Sequence, residues 1–462
     1  MVLKHITFAI FLLLVCIIPD SSNATLWQKY GGVLRVPLSS SELVLDPSRD
    51  MSYEELALFF ATTDCLFVID GDGNVLPNLA SSLEIDESGK RYLVQLDQRA
   101  RFHDGTPVLA NDAIHSFDIN LKRIGKRAYV YKNVEKINQI GDFGIEFLLK
   151  EPDFDFPRKL AYPFWAIVKG DIQKKVSGRV SLAHFIGSGA FKISDITNGI
   201  IRLTRNDNYH RGRPYLDSVQ FSVMPNDEDS FIEFLMGKLD IHQVSYSRYA
   251  DLRSRPEVFL FEKESFDTVI LDFGYYPWRT KLIRGLDPEG LLRVTMNNAG
   301  SEISGIFPED EKRAVPLNLY KSGVPPSRSV ILGYPGDTQL LESIAKSIVT
   351  RWSAQGIKTK IMNTGGKPCP ECDVKLRIVK SLGEDGETMW DTLRGDLGSP
   401  DTLAQTSDIF TTPEQAEQTT FISDGRLYPV VRLRIVWALS NRINDFKLVA
   451  TCVPDFWSIN LQ

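Results

Sequence analysis

The sequence predicts an α/β chain of two or three domains. Three observations carry this: a strand-helix-strand unit over residues 330–362, a β-rich stretch over 67–105 that feeds a helix, and a length of 462 residues, too long for one simple core. In the first, Val330 to Tyr334 is an apolar strand, and Gly336-Asp337 caps a helix whose apolar face is Leu340, Leu341, Ile344, Ile348 and Trp352. Gly356 stops that helix, and Ile357, Thr359 and Ile361 then alternate with Lys358, Lys360 and Met362. Two strands joined by such a helix lie parallel, through a right-handed crossover.

In the β-rich stretch, Gly71-Asp72-Gly73-Asn74 is a turn, and Tyr92, Val94 and Leu96 alternate with Leu93, Gln95 and Asp97 as one face of a strand does. The run Arg101-Phe102-His103-Asp104-Gly105-Thr106-Pro107 turns the chain: Gly105 takes a positive φ and Pro107 fixes the exit. Asn111 reads as a helix N-cap, with Ile114, Phe117 and Leu121 behind it at helical spacing. Farther on, Gly187-Ser188-Gly189 permits close backbone approach, and Arg205-Asn206 with Tyr209 can tie a loop to the domain surface. Gly323 to Ser327 reads as a linker.

At the N-terminus, Lys4, the apolar run Ile6 to Ile18 and the small residues Ser22-Asn23-Ala24 read as a secretory signal over residues 1–24. The apolar run is shorter than the roughly 20 residues that span a bilayer. Cys16 offers a rival reading as a lipid anchor, against which stands the bulky Val15 before it. Hydrophobic residues make up 43% and charged residues 24%, the balance of a globular chain. The net charge of −6 comes without a basic block, which gives nucleic acid no footing. No hydrolase elbow, phosphate loop or metalloprotease motif is present and the six histidines stand apart, so no catalytic machinery, metal site or cofactor is expected.

Several runs, in order, carry a resemblance: Leu45-Asp46-Pro47, Val75-Leu76-Pro77-Asn78-Leu79-Ala80, Phe102 to Ser116, Gly187-Ser188-Gly189-Ala190-Phe191, Arg205-Asn206 to Tyr209, and Pro214-Tyr215-Leu216-Asp217. From about residue 33 to 245 their order and spacing resemble the extracellular solute-binding proteins of family 5, receptors of ATP-driven importers for peptides, nickel and related solutes. The second half is less similar, through Leu271 to Pro277, Arg279 to Leu291 and the loop Gly395-Asp396-Leu397-Gly398-Ser399-Pro400-Asp401. Only Asp408 to Leu427 separates that loop from the apolar run Tyr428 to Leu439, so a helical segment usual in the family is expected to be missing and the second lobe shortened.

The resemblance implies a periplasmic-binding-protein-like two-lobed α/β fold, type II with mixed sheets, carrying an extra β-rich subdomain in lobe I. Lobe I would comprise residues 25–47, 186–267 and 441–462, the extra subdomain 48–185, and lobe II 268–440. It implies a monomeric periplasmic receptor that captures a short peptide or other small solute and delivers it to the permease of an ABC importer, without catalysis. Asp396 would receive the ligand's amino group, because a carboxylate in a closing cleft bonds strongly to an ammonium; capping a turn is the blander role. Trp390, Tyr275 and Tyr276 would wall the ligand or pack in the core. Arg394 would pair with Asp396, meet a ligand carboxylate or face solvent, and Ser52 and Tyr53 would approach the ligand from lobe I or serve loop packing. Rival readings are a sensor or interaction protein without uptake, and a binder of nickel or a metal chelate.

Cys369-Pro370-Glu371-Cys372 allows a redox pair, half a zinc site or a disulfide. The pair precedes the strand-like Val374 to Ile378 and no second C-x-x-C exists, so a disulfide is favoured over a thiol-disulfide enzyme. Cys65 and Cys452 complete a set of four that can form two bonds in an oxidising compartment, in any of three pairings.

Overall fold

The computed structural model describes residues 30–39, 45, 51–123, 132–169, 182, 185–273, 276, 278–303, 326, 328–336, 339–380, 425–449 and 452–462. The signal segment, Tyr275 and the loop bearing Trp390, Arg394 and Asp396 lie outside them. No helix among the described residues is long and apolar enough to cross a membrane.

The first core rests on a four-stranded sheet in the order Val33–Leu38, Ser218–Val223, Ile200–Arg205, Phe191–Thr197. The first pair is parallel and the others antiparallel. Val219 and Phe221 turn inward at alternate positions, as the pleat dictates. The helix Tyr53–Thr62 packs on this sheet. Its Ser52 hydroxyl accepts from Glu55 N, and the Glu55 carboxylate accepts from Ser52 N at 2.8 Å, satisfying two N–H groups that a helix start leaves unpaired. Leu56, Phe59 and Ala61 join Phe456, Ile459 and Leu461 of the C-terminal segment in the first core. The helix therefore packs with the first lobe, not with the extra subdomain to which the expected boundary at residue 48 assigns it.

The extra subdomain is an antiparallel sheet, Ala80–Ile85, Arg91–Leu96, Gly144–Leu149, Val134–Ile140, with the helix Ala110–Arg123 beside it. Tyr92, Val94 and Leu96 are all buried, as their alternation predicts. Phe117 meets Trp165 edge-on at 4.9 Å, and Phe147 meets Phe156 at 5.3 Å. The helix starts at Ala110, ahead of the expected cap Asn111, and it is the Asp112 carboxylate that accepts from Leu109 N, at 3.0 Å. Leu121 faces solvent, 44% exposed, because the inner position is taken by Asn120, whose amide donates to Phe164 O at 2.8 Å.

The second core holds a mixed seven-stranded sheet in the order Ile241–Gln243, Leu427–Leu439, Phe259–Asp272, Val374–Val379, Val330–Tyr334, Thr359–Asn363, with Gly300–Ser301 against Leu427–Leu439. Val330–Tyr334 runs parallel to Thr359–Asn363, and the intervening helix Gln339–Ala354 buries Leu341, Ile344, Ile348 and Trp352, as the sequence pattern predicts. Leu340, expected on that face, is only half-buried.

Phe259–Asp272 and Leu427–Leu439 pair antiparallel from Phe259↔Leu439 to Asp272↔Leu427 and cross between the cores. Phe261, Ile435, Trp437 and Leu439 pack into the first core; Val269, Leu271, Val431 and Leu433 pack into the second. The ladder is broken between Glu264 and Thr268 and again between Val269 and Ile270, where Pro429, with no N–H to give, stands opposite. The change of core falls between Leu433 and Ile435, earlier than the expected division at residue 440, and the unbroken apolar run from Tyr428 gives no sign of it.

His242, on Ile241–Gln243, is 2% exposed, its ring 5.9 Å from Phe234 and its Nε2 3.8 Å from Asp227. Neither ring nitrogen has a hydrogen-bond partner among the described residues. Burial pushes its pKa down to about 4 against the pull of Asp227. The unfolded chain takes that proton near pH 6.5, so stability is full above that pH and falls by up to about 3 kcal/mol as pH drops towards 4. His242→Phe keeps the ring stack and is expected to shrink the loss of melting temperature between about pH 7 and about pH 4.5. An unchanged loss would assign the acid lability to other groups.

Candidate functional site

Ser52 and Tyr53, expected to approach a ligand, open the helix Tyr53–Thr62. Ser52 is engaged in the cap described above. Tyr53 OH donates to Asp267 Oδ2 at 2.9 Å, and Asp267 sits, 4% exposed, in the broken stretch of the first crossing strand. Asp267 N donates to Ser265 Oγ at 3.2 Å, and the Ser265 hydroxyl donates to Leu433 O on the second crossing strand at 2.9 Å. Burial, and then the Asp267 charge, push the Tyr53 pKa well above its ordinary value, so the phenol stays a donor. One hydrogen bond thus ties the first core to the strand where it passes to the second. Tyr276 lies half-buried and stacked on Trp278, ring centroids 4.5 Å apart. The other expected ligand contacts, Tyr275, Trp390, Arg394 and Asp396, fall outside the described residues; of the expected contacts that are described, Tyr53 is the one hydrogen-bonded at the crossing.

The motif runs instead converge where the first core meets the extra subdomain. Asp64, 4% exposed, follows the helix Tyr53–Thr62 and accepts three neutral hydrogen bonds: Asn78 Nδ2 at 3.0 Å, Tyr209 OH at 2.9 Å and Ser188 Oγ at 3.1 Å. Each donor comes from a different run, and a buried carboxylate needs such donors to stay buried. Burial and the Asp64 charge raise the Tyr209 pKa well above its ordinary value, which keeps it a donor too. Gly187 and Gly189 let the loop reach this point: a Cβ on Gly187 would lie 1.8 Å from Thr62 O, and one on Gly189 would lie 2.5 Å from Thr62 C. His103 docks on the same loop, N to Gly187 O at 2.9 Å and Nε2 to Gly189 O at 3.1 Å, and His210 Nε2 meets Asn78 O at 3.0 Å. His103 is a turn-to-loop hydrogen-bonder.

Beside Asp64 lies a cavity of about 110 Å³ lined by Phe60, Asn78, Tyr209, Asp455 and Trp457, among others. Asp64 belongs to none of the motif runs. The signal was there: Asp64 is the one charged residue between Glu55 and Asp70.

Cys369 and Cys372 form a disulfide, both residues buried, in the turn that enters Val374–Val379. Cys65 and Cys452 remain thiols, so the second bond that four cysteines allow does not form. Their sulfurs lie in different surroundings, 3.2 Å from Tyr162 O and 3.7 Å from Glu264 O.

The sequence model of the bacterial extracellular solute-binding proteins, family 5 (middle region), matches residues 74–375. The chain belongs to this family. The oligopeptide-binding protein AppA of Bacillus subtilis (strain 168) is 30% identical over 269 residues, 51% of this chain and 48% of that protein. The dipeptide-binding protein of Escherichia coli (strain K12) is 25% identical over 272 residues, 52% of this chain and 50% of its own. The family 5 chain described here thus spans about half the length of the relatives it matches in sequence. In structure it is similar to NikA from Brucella suis in complex with Fe(III)-EDTA, with a TM-score of 0.77, 15% identity, and 93% of this chain and 100% of that one covered. Bacillus subtilis AppA in complex with a nonapeptide gives 0.69, at 19% identity over 94% of this chain and 100% of the other. These likenesses are of fold: the two-lobed α/β architecture with mixed sheets that the sequence resemblance implied.

Proposed function

We propose that this chain is the substrate-binding receptor of an ABC importer, an exported monomer that captures short peptides between its lobes and presents them to a membrane permease. The pair of crossing strands carries this reading. Two cores joined by a ladder broken at Glu264–Thr268 can swing about it, and a ligand touching both lobes favours the closed state. The peptide-binding names of the Bacillus subtilis and Escherichia coli relatives support peptide as the ligand. In this reading residues 1–24 are the export signal, lobe I gains the helix Tyr53–Thr62, and lobe II begins at the break in the ladder. Asp396 receives the peptide's ammonium, Arg394 its carboxylate, and Trp390, Tyr275 and Tyr276 wall its side chains. The receptor releases its ligand chemically unchanged.

Calorimetric titration with a mixed peptide pool is expected to give saturable heat, and small-angle scattering a smaller radius of gyration with ligand. A flat titration without closure overturns the proposal. For a peptide recovered from the pool, Asp396→Ala is expected to weaken binding by about 10- to 100-fold, the worth of a desolvated charge-assisted hydrogen bond.

A further inference from the structure

Tyr53 and Asp267 stand on opposite sides of the break in the crossing ladder. Tyr53 opens a helix whose Leu56 and Phe59 lie in the first core, and its own ring packs against that core. Asp267 comes one residue before Thr268, where pairing resumes at Arg432, and Val269 already belongs to the second core. Because Glu264 pairs with Arg434 and Thr268 with Arg432, residues 265–267 together stand opposite the single residue Leu433. Three residues against one interrupt the backbone ladder, and a strand bends where its ladder is interrupted. Two side-chain hydrogen bonds span this stretch. The Ser265 hydroxyl on Leu433 O, at 2.9 Å, joins the crossing strands to each other. The Tyr53 hydroxyl on Asp267 Oδ2, at 2.9 Å, joins the first core to the far side of the break.

Swinging the cores about the break pulls these two groups apart. Asp267 is 4% exposed, and a carboxylate so buried loses heavily when a hydroxyl donor leaves it, so the bond favours the arrangement in which it is made. The one proton of the phenol is committed to that bond and is not offered to a ligand. We propose that Tyr53 is a positioning residue of the receptor: its hydrogen bond to Asp267 sets the balance between interlobe arrangements, and through that balance the ligand affinity, without touching the ligand. The inference rests on the reading of the chain as a two-lobed receptor and names what regulates its closure.

The test is a distance measurement by pulsed electron spin resonance on the full chain, with spin labels on Lys192→Cys and Lys346→Cys. Both positions are exposed, one on the strand Phe191–Thr197 and one on the helix Gln339–Ala354, and the buried thiols of Cys65 and Cys452 escape labelling. Tyr53→Phe removes one oxygen and keeps the ring. Without ligand it is expected to shift the ratio of interlobe distances by about tenfold or more, the worth of a buried hydrogen bond to a carboxylate. The affinity for every peptide is expected to change by one common factor, equal to the change in the fraction of ligand-free molecules at the ligand-bound distance. Tyr249→Phe is the control. Tyr249 OH donates to Glu262 Oε1 at 2.9 Å, the same kind of bond to the same strand, but both partners lie on one side of the break, so both readouts should stay as they are. An unchanged ligand-free distance in Tyr53→Phe, or an equal shift in Tyr249→Phe, overturns the proposal. So does an affinity change confined to particular peptides, which would make Tyr53 a ligand contact. The distance needs no ligand, so a chain that binds no peptide fails the receptor reading and still answers this one.

Discussion

Asp64→Ala is expected to lower stability by about 4 kcal/mol, measured as a shift of the urea unfolding midpoint. The carboxylate is the shared acceptor of Asn78 Nδ2, Tyr209 OH and Ser188 Oγ, and removing it strands three buried donors at once. Each bond to a charged acceptor is worth roughly 1.5–3 kcal/mol, less than additively for neighbours in one network. Asp64→Asn discriminates this from a simple loss of packing. Its Oδ1 can still accept from Asn78 and Tyr209, while the new amide nitrogen faces Ser188, whose hydroxyl can rotate to accept. The expected loss is therefore about 1–2 kcal/mol. Equal losses for the two variants would show that the hydrogen bonds are not what matters there.

Gly187→Ala should cost about 3 kcal/mol by the same measurement, for a different reason. A Cβ at this position would stand 1.8 Å from Thr62 O and 2.9 Å from Thr62 C, and backbone cannot step aside as a flexible side chain can. Moving the loop away also stretches Gly189 N to Thr62 O, 3.1 Å, and His103 N to Gly187 O, 2.9 Å. Gly105→Ala is the control. It has nothing within 4 Å of its would-be Cβ, so only the strain of its φ of +86° is at stake, about 1 kcal/mol.

Both glycine roles were legible in the sequence, because a Gly in His103-Asp104-Gly105 and a Gly-Ser-Gly triplet have local causes. The crossover unit around Gln339–Ala354 was legible for the same reason: its periodicity is set by one helix lying on one sheet. What was not legible is non-local. Leu121 has the spacing of a core residue, yet Asn120 takes the inward place because Phe164 O, far along the chain, offers it a partner. The register of Phe259–Asp272 on Leu427–Leu439 leaves no trace in either segment, so the point where packing passes from one core to the other could not be placed. At the Asp64 junction, the donors fall in separate motif runs, whereas the acceptor they share, one aspartate in an apolar stretch, matches no motif. The residues proposed for the interlobe cleft are the reverse case, named through resemblance and with no local pattern to place them.

The parallel pairing of Val33–Leu38 with Ser218–Val223 bears on how the chain is made. Synthesis runs from the N-terminus, and a domain can fold while later segments are still on the ribosome. Val33–Leu38 is among the earliest described segments to emerge, but its sheet neighbour follows only after the whole extra subdomain has been translated. Asp64 waits likewise for Ser188 and Tyr209, which are 124 and 145 residues downstream. The extra subdomain, whose strands, helix and buried core lie together between residues 66 and 167, can consolidate early. The first core must instead hold an unpaired apolar strand in reserve through that interval, and it is finished only when Phe456, Ile459 and Leu461 arrive.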